Sequence, residues 1–198
     1  YGVGDAIATS KHNPCFGNVY KLVQIDDNPV LKRSEDRIKL INPGFQITYR
    51  IIQNGKFKVD VTCLRGDELS KAIESRKTIT LRDERDRFKS MTFHEGKYEF
   101  RTLQQQIVKD GEITYQDTTI QEKQAYYKDN LSHLDDTQKR LINPHYYKCD
   151  ISDALYDLKN SLIDNLVKEI EKNGFENINT KKVTSIGTCA IKEIIKHE

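Results

Sequence analysis

Gln46-Ile47-Thr48-Tyr49-Arg50-Ile51-Ile52-Gln53, then Asn54-Gly55, then Lys56-Phe57-Lys58-Val59-Asp60-Val61-Thr62-Cys63-Leu64: two runs with the strand period meet at a dipeptide built for a tight turn. Apolar residues recur at every second position on both sides, as they do on a strand with one buried face. Asn and Gly both tolerate the positive φ that a two-residue hairpin turn demands. The stretch predicts a β-hairpin and makes the chain β-rich at its centre.

Upstream, Val19 to Ile25 also alternates, Asp26-Asp27-Asn28-Pro29 is turn chemistry, and Val30 to Arg33 reads as a second short strand. Downstream, residues 66–96 are charged and weakly patterned, with one strand expected at Thr78 to Arg82. Glu99 to Val108 alternates imperfectly, turns at Asp110-Gly111 and meets a partner around Glu112 to Tyr115. From Ile120 the period lengthens, so that Ile120, Tyr127 and Leu131 share a helix face, and a second short helix is expected at Asp135-Asp136. The clearest helix runs from Ser152 to about Lys172. Its Leu155, Leu158, Leu162, Leu166 and Ile170 form one apolar stripe, Ser152 suits the N-cap, and Gly174 suits the stop. A short amphipathic helix is expected near Ala190 to Ile195.

These signals predict an α+β fold, a β-rich region followed by helices. The expected divisions are 1–15 (a glycine turn and short helix), 16–118 (β-rich), 119–174 (helical) and 175–198 (a tail without an assigned role). The 198 residues hold 32 Lys plus Arg against 30 Asp plus Glu, so no net field draws in nucleic acid. No run of apolar residues is long enough to span a bilayer, and the N-terminus lacks a secretory pattern. Cys15, Cys63, Cys149 and Cys189 form no CxxC pair, so they read as reduced thiols of a cytoplasmic protein. The five histidines show no ligand spacing, so no metal site is expected. The chain opens on Tyr1 without a leading Met and reads as the back portion of a longer protein.

Two groups of residues can carry chemistry. Gly2 and Gly4, around Val3, let backbone amides approach a ligand at a helix start, which suits an anion. The plain alternative is a steric turn, and Asp5 can occupy those amides itself. Lys21, Lys32, Arg33, Lys39 and Arg50 lie on or beside short strands, where cations can neutralise a diphosphate. The alternative there is a set of outward, solvated strand residues.

Taken in order, Tyr1-Gly2-Val3-Gly4, Ala8-Thr9-Ser10, Asn13-Pro14, Gly17-Asn18-Val19-Tyr20-Lys21-Leu22, Lys32-Arg33-Ser34-Glu35-Asp36 with Lys39, Asn42-Pro43-Gly44 and Tyr49-Arg50 resemble the nicotinate phosphoribosyltransferase family. So does Arg140-Leu141-Ile142-Asn143-Pro144-His145-Tyr146 ahead of Ser152 and its helix. The resemblance covers residues 1 to about 172. It implies an irregular α/β barrel flanked by a β-rich domain, with this chain as the C-terminal part and residues 1–15 as the end of the barrel. It implies an enzyme that joins nicotinate to phosphoribosyl pyrophosphate with ATP hydrolysis, ATP and Mg2+ as cofactors, and dimers with sites near the subunit boundary. Gly2, Val3 and Gly4 would then hold a 5′-phosphate, and Lys21, Lys32 and Ser34 would contact substrate or nucleotide phosphates. Asp5 stands where the family often has Thr, and the family's phosphorylated histidine and nicotinate-binding residues have no counterpart in this chain. No catalytic residue is therefore assigned, and the chain alone is expected to be inactive. The rival readings are a non-enzymatic β-rich interaction module and a nicotinamide-using sister enzyme.

Overall fold

The computed structural model describes residues 20–32 and 40–173. Its centre is the hairpin of β3 (Gln46–Gln53) and β4 (Lys56–Leu64). Asn54 and Gly55 have φ of 53° and 69°, the doubly positive pair of a type I′ turn. A regular hairpin closed by that turn would set Ile51 opposite Lys58 and Tyr49 opposite Asp60. The apolar residues of the two strands would then lie on opposite faces. A bulge corrects this. Ile52 pairs with Phe57, but Ile51 pairs with Val59, so Lys58 is the extra residue. Beyond it Ile47, Tyr49, Ile51, Val59, Val61 and Cys63 share one face and are all buried.

Two further strands complete a mixed sheet in the order β10-β4-β3-β7. The edge strand β7 (Glu99–Thr102) pairs antiparallel with β3. The last strand, β10 (Lys148–Ile151), pairs parallel with β4 and was not expected from the sequence. The apolar face is closed by α1 (Glu68–Glu74) and by the two-stranded β5 (Ile79–Arg82) and β6 (Ser90–Phe93). Ile73, Ile79, Leu81, Phe93 and Tyr98 interlock with it to make the core. The strand expected at Thr78 to Arg82 is present as β5, whereas α1 and β6 emerge from a region that read as weakly patterned.

Asp67 organises the far end of the hairpin. One carboxylate oxygen caps α1 by accepting from Ser70 N at 2.7 Å. The other accepts from Leu64 N at 3.1 Å and from the Ser152 hydroxyl at 2.7 Å. Ser152 in turn caps the long helix α3 (Asp153–Asn173), its Oγ accepting from Leu155 N at 3.2 Å. The cap expected at Ser152 is therefore present. Leu155 is fully buried, and α3 lies against β4.

The remaining elements stand away from the core. The expected strand Glu99 to Val108 is broken: β7 ends at Thr102, and only β8 (Val108–Lys109) with β9 (Glu112–Ile113) forms a small hairpin at Asp110-Gly111. Helix α2 (Ile120–His133) starts from a capping box between Thr119 and Glu122 and buries no residue. The short helix expected at Asp135-Asp136 is absent. That segment is a turn in which Asp135 Oδ1 accepts from Thr137 N and Oγ1. A mixed sheet with helices gathered around it is an α+β arrangement, as the patterning predicts.

Candidate functional site

The upstream lysines sit on a small hairpin, β1 (Gln24–Ile25) and β2 (Asn28–Pro29), which turns at Asp26 and Asp27. It is shorter than the two strands expected there, because Pro29 closes β2 and donates no hydrogen bond. Gln24 pairs with Pro29, and Val30 N donates to Val23 O at 2.9 Å. Lys21 and Lys32 flank the two strands, one on each side, and both are exposed. The strand expected at Val30 to Arg33 is not found over its described residues, 30–32; the pairing falls instead on Asn28 and Pro29, which read as part of a turn.

That hairpin is held to the body through Asn42-Pro43-Gly44. Gly44 N donates to the same Val23 carbonyl at 2.8 Å. Gly44 has φ +84°, and a Cβ there would lie 2.8 Å from Leu64 Cδ2 and 3.4 Å from Leu158 Cδ2. Its backbone angle therefore requires glycine, and a Cβ would in addition push the end of the Leu64 side chain aside. The Gln46 side-chain amide spans the carbonyls of Asn42, Pro43 and Gly44, which fixes the turn. Lys159 of α3 donates to Asn42 Oδ1 at 2.9 Å and to Glu84 Oε1 at 3.1 Å. The lysine hairpin, the sheet and α3 thus meet at one residue triplet.

Arg50, grouped with the lysines by sequence, does a different job. Its Nε and Nη2 donate to the two oxygens of Asp60 at 2.8 and 2.7 Å, a bidentate pair that Tyr147 completes by donating to Asp60 Oδ1 at 2.8 Å. The Asp60 carboxylate raises the Arg50 pKa further still, and burial is the main reason the Tyr147 phenol is pushed up. Arg50 also stacks on Phe57, its Cζ 4.6 Å from the ring centre. It is a sheet residue whose charge is already met.

Burial pushes the Cys63 thiol well above its ordinary range and raises Cys149, so neither is an activated thiolate. Burial, then donation to Glu74, raises the Tyr49 phenol to about 12, and its hydroxyl is also 2.9 Å from Ser70 Oγ. Among the described residues no three His, Cys, Asp or Glu side chains converge as metal ligands. Of the phosphate-binding candidates, Lys21 and Lys32 are described, while Gly2, Val3, Gly4 and Ser34 lie outside the described residues, as do Arg33 and Lys39. No helix of the described residues is long and apolar enough to cross a membrane. The arrangement presents two exposed cations beside one hairpin, and the Ser152 hydroxyl that meets the Asp67 carboxylate is already used as a helix cap.

Comparison with known proteins gives this geometry a family. A model described as the nicotinate phosphoribosyltransferase C-terminal domain matches residues 45–159. Nicotinate phosphoribosyltransferase of Bacillus subtilis (strain 168) is 28% identical over 178 residues, 87% of this chain and 35% of that protein. The enzyme of that name from Caenorhabditis elegans is 30% identical over 164 residues, 82% of this chain and 28% of its own length. Human nicotinic acid phosphoribosyltransferase, a crystal structure, superposes with a TM-score of 0.56 at 22% identity, over 73% of this chain and 26% of that one. That last likeness speaks for the fold. The chain spans about a third of the length of the curated relatives it matches.

Proposed function

The chain belongs to the nicotinate phosphoribosyltransferase family, and from that premise we propose that it is the C-terminal part of an enzyme joining nicotinate to phosphoribosyl pyrophosphate. The products are nicotinate mononucleotide and pyrophosphate, with ATP hydrolysis driving the step in NAD salvage. The observation that carries the reading is the family match over residues 45–159. The role of Lys21 and Lys32 is supported by their exposure on either side of this hairpin and by the triplet that holds it to the body.

Transfer at a ribose C1 requires the diphosphate to be clamped while the incoming nitrogen is positioned. In this reading Lys21 and Lys32 neutralise substrate or nucleotide phosphates, with Ser34 donating a hydroxyl and the Gly2-Val3-Gly4 amides holding the 5′-phosphate. Two exposed ammonium groups flanking one hairpin can be satisfied together by a polyphosphate. They fit the phosphates of ATP equally well. Mg2+ keeps most of its ligands from phosphate and water, so it needs few carboxylates from the protein. The chain offers one edge of the site and is inactive by itself. The complete enzyme works as a cytoplasmic homodimer.

The test is kinetic. In a full-length chimera carrying residues 1–198 in place of the C-terminal part of the Bacillus subtilis relative, Lys21→Ala or Lys32→Ala should raise the KM for phosphoribosyl pyrophosphate about tenfold. That is the loss of one charge-assisted contact. Unchanged kinetics in both variants would remove the lysines from the site.

A further inference from the structure

We propose that a groove between β7 and α2 binds a small organic oxyanion, a phosphate monoester or a carboxylate, on Arg101. Arg50 of β3 stands directly opposite Asp60 of β4 on one side and Arg101 of β7 on the other. Like charges directly opposite each other across a sheet are unfavourable. Asp60 engages two nitrogens of Arg50, and the described residues offer Arg101 no acidic partner. The row Asp60–Arg50–Arg101 therefore ends on an unmatched positive charge at the open edge of the sheet.

A groove of about 310 Å³ opens there, and no carboxylate lines it. Besides Arg50 and Arg101 its walls carry Thr102, Gln105, Tyr126 and Asn130. The Asn130 amide is spent on Tyr126 O at 2.8 Å. The Thr102 and Tyr126 hydroxyls and the Gln105 amide have no partner among the described residues. The neighbouring Gln104 pins the segment to the sheet, accepting from Thr48 N at 2.8 Å. An oxyanion seated on the Arg101 fork would supply the acidic partner that Arg101 lacks and accept from the surrounding donors. The volume exceeds what a bare inorganic ion fills, which leaves room for an organic body against Tyr126 and Leu103. None of this depends on the lysine hairpin or on the transferase reading.

The experiment is calorimetric titration of the 198-residue chain with inorganic phosphate, ribose 5-phosphate and benzoate at low salt. At least one organic oxyanion should bind more tightly than inorganic phosphate, and the tighter one identifies the source. Arg101→Ala should weaken it tenfold or more. Arg101→Glu replaces the like-charge pair with an opposite one. It should abolish binding while raising the thermal midpoint of the empty protein by roughly two degrees. Absence of binding by all three probes would overturn the site. So would binding that survives Arg101→Ala but is lost in the Lys21→Ala, Lys32→Ala double variant, since that places it on the lysine hairpin.

Discussion

Gly44 shows how much one residue decides in this chain. Its amide ties the lysine hairpin to the sheet through Val23, its φ lies in the left-handed region, and its missing Cβ lets Leu64 and Leu158 close over it. A methyl group there meets both backbone strain and a side-chain collision. Gly44→Ala is therefore expected to destabilise the chain by about 2–4 kcal/mol. Urea unfolding followed by circular dichroism measures this directly, and a change of only a few tenths would mean that the neighbouring leucines move aside. Arg50 teaches the complementary lesson. Read along the sequence it joins the lysines as a candidate phosphate ligand. Only the extra residue at Lys58 brings Asp60 opposite it rather than Val59. That bulge was in principle legible, because the apolar residues of the two strands cannot share a face without it. The distant partner Tyr147 was not.

At the scale of elements, signals with local causes were readable. The Asn54-Gly55 turn, the Asp110-Gly111 turn and the Ser152 cap are set by residues adjacent in sequence, and each is where the sequence puts it. β10 has four residues and no alternation, and its partner β4 lies some ninety positions upstream. Nothing local marks it. α1 was hidden by its brevity and its charged surroundings, although Asp67 as N-cap with Leu69, Ala72 and Ile73 on one face is a recognisable start. The segment from Arg101 to Asp129 is exposed at every residue, yet it contains a hairpin and a capped helix. A two-stranded hairpin and a 14-residue helix are both marginal in water without a packed face. Only the C-terminal end of α2 is tied down, by the His133 ring on Phe57 and by Lys56 donating to Ser132 O. Limited proteolysis of the folded chain should therefore cut first between Arg101 and Asp129, well before the β3–β4 hairpin. First cuts inside the central sheet would show that α2 and its hairpin are better anchored than their burial implies.

At the scale of the whole molecule, the core is one sheet face closed by α1 and the β5–β6 pair, and it involves neither Lys21 nor Lys32. Those two lysines flank the hairpin that joins α3 through Asn42-Pro43-Gly44. A stable body carrying one polar edge is the expected form of a chain that spans about a third of its relatives' length. The central claim is that this edge completes a phosphoribosyltransferase site supplied mainly by other polypeptide. The direct measurement is nicotinate-dependent pyrophosphate release, with phosphoribosyl pyrophosphate and ATP present, by the 198-residue chain and by its full-length chimera with the Bacillus subtilis relative. The account predicts silence from the chain alone and turnover by the chimera. A correctly folded chimera that stays silent while its parent is active would contradict it.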